Sequence, residues 1–108
     1  MRTETLPPLR EEVAYVSGRY RGSSPSEIWA NIMKAREVAV DLWRMGYVAL
    51  CPHLNTMLFD GVRPDADWLA GDLVLLRRCN LIVMVTGWQE SEGARAELRE
   101  TIRLGLPT

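Results

Sequence analysis

Two carboxylates and a phenol stand out among the 108 residues as groups that could do chemistry together: Glu97, Asp72 and Tyr15. Glu97 ends the stretch Gly87-Trp88-Gln89-Glu90-Ser91-Glu92-Gly93-Ala94-Arg95-Ala96-Glu97, which follows the most apolar run of the chain, Leu81 to Val85. Ser91 is a suitable helix cap, and Gly93 falls in the opening turn, although glycine inside a helix costs about 1 kcal/mol relative to alanine. Free N–H groups at a helix start attract anions, so a bare backbone there suits an anionic ligand. Asp72 lies mid-helix among Leu69, Leu73 and Leu76, where aspartate is a mediocre helix former. Two carboxylates and a tyrosine around one pocket are the usual parts of glycosidic-bond chemistry. Each residue also has a plainer reading: a glutamate on a helix is most often a solvated one, and Ser91 with Gly93 can be a cap and nothing more.

Two further places carry candidates. Ser17-Gly18-Arg19-Tyr20-Arg21-Gly22 brackets two arginines with glycines. It reads either as a turn with solvated arginines or as a loop in which Gly18 admits a ligand to the backbone while Arg19 or Arg21 binds phosphate through its planar fork. His53 is the only histidine. A lone histidine is more often structural than catalytic, but its place at the end of a strand puts it beside a pocket.

The elements that must position these residues follow from periodicity. Glu12–Gly18 and Tyr47–His53 read as strands, and Asn80–Thr86, with no polar alternation, as a strand buried on both faces. Ser24, Pro25 and Glu27 form a capping box for an amphipathic helix that runs to Met45, with Gly46 as its stop. Residues 54–64 read as a loop with room for one helical turn. A second helix is expected from about Ala66 to Cys79, and a third from Ser91 to Leu104, with Ala94, Leu98 and Ile102 on its inner face. The order β-α-β-α-β-α predicts a parallel sheet with packed helices. Ligands of such sheets bind outside the carboxyl ends of the strands, where the candidates fall.

Length, composition and charge bound the rest. The chain makes one domain, residues 12–108, after a flexible tail, residues 1–11. A net charge of −1 without a basic stripe argues against a polymeric nucleic acid as partner. No run of about 18 apolar residues is present, so no membrane span is expected. Cys51 and Cys79 form neither a disulfide framework nor a metal pattern, and read as buried reduced thiols. Cytoplasmic localisation is the default, and no metal or other cofactor is expected.

Ala14-Tyr15-Val16-Ser17-Gly18-Arg19-Tyr20-Arg21-Gly22, then Gly46-Tyr47 to Leu54, then Asp72 to Glu97 together resemble the nucleoside 2-deoxyribosyltransferase-like superfamily, over roughly Val13 to Pro107. The spacing of Ser91, Gly93 and Glu97 is the most specific part. The resemblance implies a flavodoxin-like three-layer α/β/α fold with strand order 2-1-3, shortened at its C-terminus. It implies cleavage or transfer at the N-glycosidic bond of a 2'-deoxynucleoside or its 5'-monophosphate. Glu97 is then the nucleophile, Asp72 and Tyr15 its catalytic partners, and Ser91, Gly93 and Arg21 hold the 5'-phosphate. The alternative is a nucleotide-binding module of the same fold without turnover. The third strand, apolar throughout and placed at an edge, predicts a homodimer or higher homo-oligomer.

Overall fold

A computed structural model describes residues 5–108 of the chain. Three parallel strands form one sheet in the order β2-β1-β3. These are β1 (Val13–Ser17), β2 (Val48–Leu50) and β3 (Leu81–Met84). The helices are α1 (Pro25–Arg44), the short α2 (Pro52–Asn55), α3 (Asp65–Leu76) and α4 (Glu92–Leu104), with a single 3₁₀ turn at Trp88–Glu90. This is the parallel sheet that the alternation predicted, in the flavodoxin-like arrangement that the resemblance implied. The register sets Tyr15 beside Leu50 on one side and beside Ile82 on the other. Among the described residues no helix is long and apolar enough to cross a membrane.

The central strand sorts the two layers. Successive side chains of a strand point to opposite faces. Ala14 and Val16 meet Ala35, Ala39 and Leu42 of α1, together with Val85 and Cys51, in one apolar cluster. Tyr15 meets Leu76, Cys79 and Ile82 in a second cluster on the other face, and Ser17 shares that face by the same alternation. Cys51 and Cys79 are both free and buried.

Local chemistry fixes the helix ends. Ser24 Oγ accepts from the backbone N–H of Glu27 at 3.1 Å, and Pro25 opens α1. The capping box is thus half as expected: the Glu27 carboxylate is occupied by the Ser23 hydroxyl and by Arg19. Gly46 takes φ +92°, and a Cβ there would lie 2.7 Å from the carbonyl oxygen of Pro8. The segment before β1 is laid against this turn: Arg10 N–H donates to Gly46 O at 2.8 Å, and the Arg10 guanidinium lies 4.5 Å from the Tyr47 ring centroid. Of the expected tail, residues 1–4 lie outside the described residues.

Several expectations need correction. The second strand stops at Leu50, short of His53, because Pro52 starts a helical turn and carries His53 with it. The third strand is not buried on both faces. Ile82 is, while Leu81, Val83 and Met84 are half-buried, since among the described residues β3 has a neighbouring strand on one side only. That edge is partly covered: Ile82 N–H donates to Pro107 O at 3.0 Å. The α3 helix ends at Leu76, and Cys79 falls in the turn that follows. On α4 the inner face is Ala94, Glu97 and Thr101, whereas Ile102 is 68% exposed.

Removing the cap of the longest helix should register directly in stability. Ser24→Ala is expected to cost about 1 kcal/mol and Ser24→Gly only a few tenths, read as a lower midpoint in urea unfolding with an unchanged slope.

Candidate functional site

All nine candidate residues line one cleft of about 850 Å³ at the carboxyl ends of the strands. Tyr15 and Gly18 come from β1 and its end, Arg19 and Arg21 from the loop after it, His53 from α2, Asp72 from α3, and Ser91, Gly93 and Glu97 from the start of α4. Sequence separations of 82 and 80 residues close within one pair of hydrogen bonds on the floor.

Glu97 is at the centre. Its side chain is 6% exposed, which overturns the solvated reading of a helix glutamate. The Tyr15 hydroxyl donates to its Oε2, and the Ser17 hydroxyl donates to its Oε1 at 2.6 Å. Tyr15 and Ser17 can both do this because they are two apart on one strand and share a face. One helical turn on, the Thr101 hydroxyl donates to Glu97 O at 2.9 Å and keeps the helix's second buried polar side chain satisfied. Burial raises the pKa of Glu97 above the usual carboxylate range, opposed by the hydrogen bonds from Ser17 and Tyr15. The Tyr15 phenol is pushed far up by burial, by the Glu97 charge and by the Asp72 charge, and stays protonated. Asp72 is half-buried, and burial followed by the Glu97 charge pushes its pKa up to about 7.

The wall at α4 is an open helix start. Ser91 caps the helix, its Oγ accepting from Ala94 N–H at 3.1 Å. A Cβ built on Gly93 would meet nothing closer than Ser91 Oγ at 3.9 Å. Open space therefore lies over the first turn, where the N–H groups of Glu92 and Gly93 have no intrahelical acceptor and that of Ala94 is taken by the Ser91 cap.

On the opposite wall each of the four candidates also has a structural contact of its own. Gly18 is needed for packing: a Cβ there would lie 2.7 Å from Val85 Cβ. Arg19 is already engaged, with Glu27 at 3.1 Å, Glu90 at 3.5 Å and its Nε donating to Arg21 O at 3.1 Å. Arg21 is mostly exposed and pairs with Asp65 at 3.3 Å across the cleft mouth. His53 is structural: its Nε2–H donates to Arg19 O at 3.0 Å, and burial lowers its pKa, so the ring is neutral. Asn31 Nδ2 donates to Tyr20 O and Arg21 O. The loop is thus held in place by the protein's own side chains.

Sequence reasoning missed Ser17 and Asn31 as site residues. The signal for Ser17 was available, since it sits two residues from Tyr15 on the same strand face. Asn31 carried none, being one polar residue on a long helix. Trp68 and Leu69 of α3 add apolar wall, and Arg99 adds a cation at the rim.

A family described as "Domain of unknown function (DUF4406)" matches residues 12–108, and the chain belongs to that family. Comparison with curated proteins and with solved structures finds no match.

The raised carboxyl of Asp72 has a thermodynamic consequence. Its folded-state pKa of about 7 exceeds the ordinary value, so the folded state binds the extra proton between those limits. Stability should then fall as pH rises from about 4 towards 7, with Glu97 acting in the same direction. Asp72→Asn is expected to flatten this slope and to be more stable than the parent at neutral pH, measured by thermal or urea unfolding across that range.

Proposed function

We propose that the protein cleaves or transfers the N-glycosidic bond of 2'-deoxynucleosides or their 5'-monophosphates, with Glu97 as nucleophile. The observation that carries this reading is the buried Glu97 carboxylate, held by the Tyr15 and Ser17 hydroxyls on the floor of an open cleft beside Asp72. The motif resemblance to nucleoside 2-deoxyribosyltransferases agrees with it. The two donors orient this carboxylate and favour its charged form against the burial that raises its pKa, as attack on a sugar carbon requires. A carboxyl with a pKa of about 7 keeps a proton to give at neutral pH.

In the first step a Glu97 oxygen bonds to C1' of the sugar as the bond from C1' to the base nitrogen breaks. The electron pair leaves with the base, and the Asp72 proton neutralises it. The transition state is oxocarbenium-like, and the nearby carboxylate charge stabilises it. In the second step water, or the nitrogen of a second base, attacks C1' and releases Glu97, while Asp72 takes the acceptor's proton. Tyr15 and Ser17 stay protonated throughout and hold the carboxylate in line. The α4 start at Ser91 and Gly93 takes a 5'-phosphate through free N–H groups, with Arg21 reaching it by leaving Asp65.

The reading extends to setting. Two buried free thiols fit a reducing compartment such as the cytoplasm, and the chain acts as an assembly of identical copies. The ligand is a small molecule, not a nucleic-acid polymer or a membrane.

The direct test is incubation with a panel of deoxynucleosides and deoxynucleoside 5'-monophosphates, followed by chromatography for free base. Release is expected from the parent and should vanish in Glu97→Gln, a nearly isosteric change that removes the charge. Release at the parental rate from that variant excludes Glu97 as nucleophile. Saturable binding with no release by the parent would instead establish a binding module.

The phosphate assignment has its own measurement. Arg21→Ala should weaken monophosphate binding by about 1.5 kcal/mol, the low end for a charged hydrogen bond, because this arginine is exposed and must first leave Asp65. Nucleoside binding should barely change. Equal losses for both ligands would place Arg21 away from the phosphate.

A further inference from the structure

The outer side of α1 carries an apolar stripe that the cleft does not use. Trp29, Met33, Arg36, Val40 and Trp43 recur at spacings of three and four, so they lie along one side of the helix. This side is turned about a quarter-turn from the buried one formed by Ile32, Ala35, Ala39 and Leu42. Trp29 is 51% exposed and Trp43 45%, while Met33 and Val40 are half-buried. Tryptophans left this far in water at both ends of one stripe are unusual on a free surface, and tryptophan and arginine are the types that anchor interfaces.

The stripe is nearly symmetric about Arg36. Trp29 and Trp43 each lie two helical turns from Arg36, and Met33 and Val40 each lie about one turn from it. A two-fold interface joins a patch to itself, so the patch must be self-complementary. Two copies of α1 laid antiparallel with the axis at Arg36 would set Trp29 against the other copy's Trp43 and Met33 against its Val40. The charges also match. Arg36 and Glu37 are paired within the chain at 3.1 Å, and both are well exposed. Beside the axis each Arg36 can exchange that partner for the other copy's Glu37. This relieves the repulsion between two like charges at the centre and satisfies both pairs across the interface.

We infer that α1 is a homodimerisation surface: a second copy of this chain packs antiparallel along Trp29, Met33, Arg36, Val40 and Trp43. This surface is separate from the β3 edge, where Pro107 already takes the Ile82 N–H. It also leaves the cleft open, since the stripe contains none of the residues that line it.

Sedimentation velocity on the full chain across the micromolar range should show a concentration-dependent monomer–dimer equilibrium. Arg36→Glu puts four carboxylates at the axis and should weaken the dimer roughly tenfold or more. The double variant Arg36→Glu with Glu37→Arg restores opposite charges across the axis and should recover the parental dissociation constant. Both residue types are good helix formers and both sites are exposed, so circular dichroism should be unchanged; if Arg36→Glu fails to fold, Glu37→Arg alone carries the same test. A parent that stays monomeric overturns the inference. So does a dimer indifferent to Arg36→Glu, which would place the contact elsewhere. A folded double variant that stays dissociated overturns the antiparallel register.

Discussion

A carboxylate removed from water must be given hydrogen bonds, and the layout of this fold follows from meeting that demand at Glu97. Burying a charge without partners costs far more than any single apolar contact returns. The partners here are two hydroxyls on one face of the central strand, Tyr15 and Ser17. That choice makes the face of β1 towards α4 polar near its carboxyl end and leaves the other face, Ala14 and Val16, wholly apolar against α1. The rotation of α4 follows. The helix turns Ala94, Glu97 and Thr101 inward and leaves Ile102 in water, against its own hydrophobicity. Among the described residues no buried side-chain nitrogen or oxygen is without a partner, so the polar interior is complete before any ligand is added.

The rigidity of the rim has the same origin at one remove. The loop after β1 has three carbonyls directed at neighbouring side chains. Arg19 O meets the neutral His53 ring, Tyr20 O meets Asn31, and Arg21 O meets both Asn31 and the Arg19 guanidinium. Pro52 starts the short helix that delivers His53, and α1 delivers Asn31. Elements that do no chemistry therefore fix the entrance, as preorganisation requires. Arg19, the most prominent cation of the loop, is spent on Glu27 and Glu90 and serves the rim's structure first.

Much of this was legible in the sequence because its signals are local. The Ser24 cap with Pro25, the apolar repeat of α1 and the alternation of elements define the fold, and the spacing of Ser91, Gly93 and Glu97 marks the cleft wall. What stayed hidden depends on contacts between distant segments. The face α4 turns inward could not be found from hydrophobicity, because Ile102 outranks Glu97 on any apolar scale and only the hydroxyls on β1 reverse the order. Gly18 looked like a door for a ligand, yet the side chain that fills its missing Cβ is Val85, 67 positions further along the chain. The covered edge of β3 depends on Pro107, which no period or propensity assigns to a sheet. The end of β2 at Leu50 was in principle visible, since Pro52 marks it.

The two carboxyl groups illustrate how hydrogen-bond donors separate two groups that burial shifts the same way. Desolvation raises both, so burial alone cannot separate them. The separation comes from the donors. Glu97 accepts from Tyr15 and Ser17, and those bonds favour its charged form. Asp72 has only burial and the neighbouring negative charge acting on it, and both favour its neutral form. Two nearby carboxylates in a dry site do not readily ionise together, so the negative charge belongs on Glu97 and the proton on Asp72. Environments that push two titratable groups apart in this way divide acid from base without any difference in residue chemistry. Tyr15 closes the arrangement. Its own ionisation is suppressed by burial first and then by the charge it stabilises, so it remains a donor over the whole range in which Asp72 titrates.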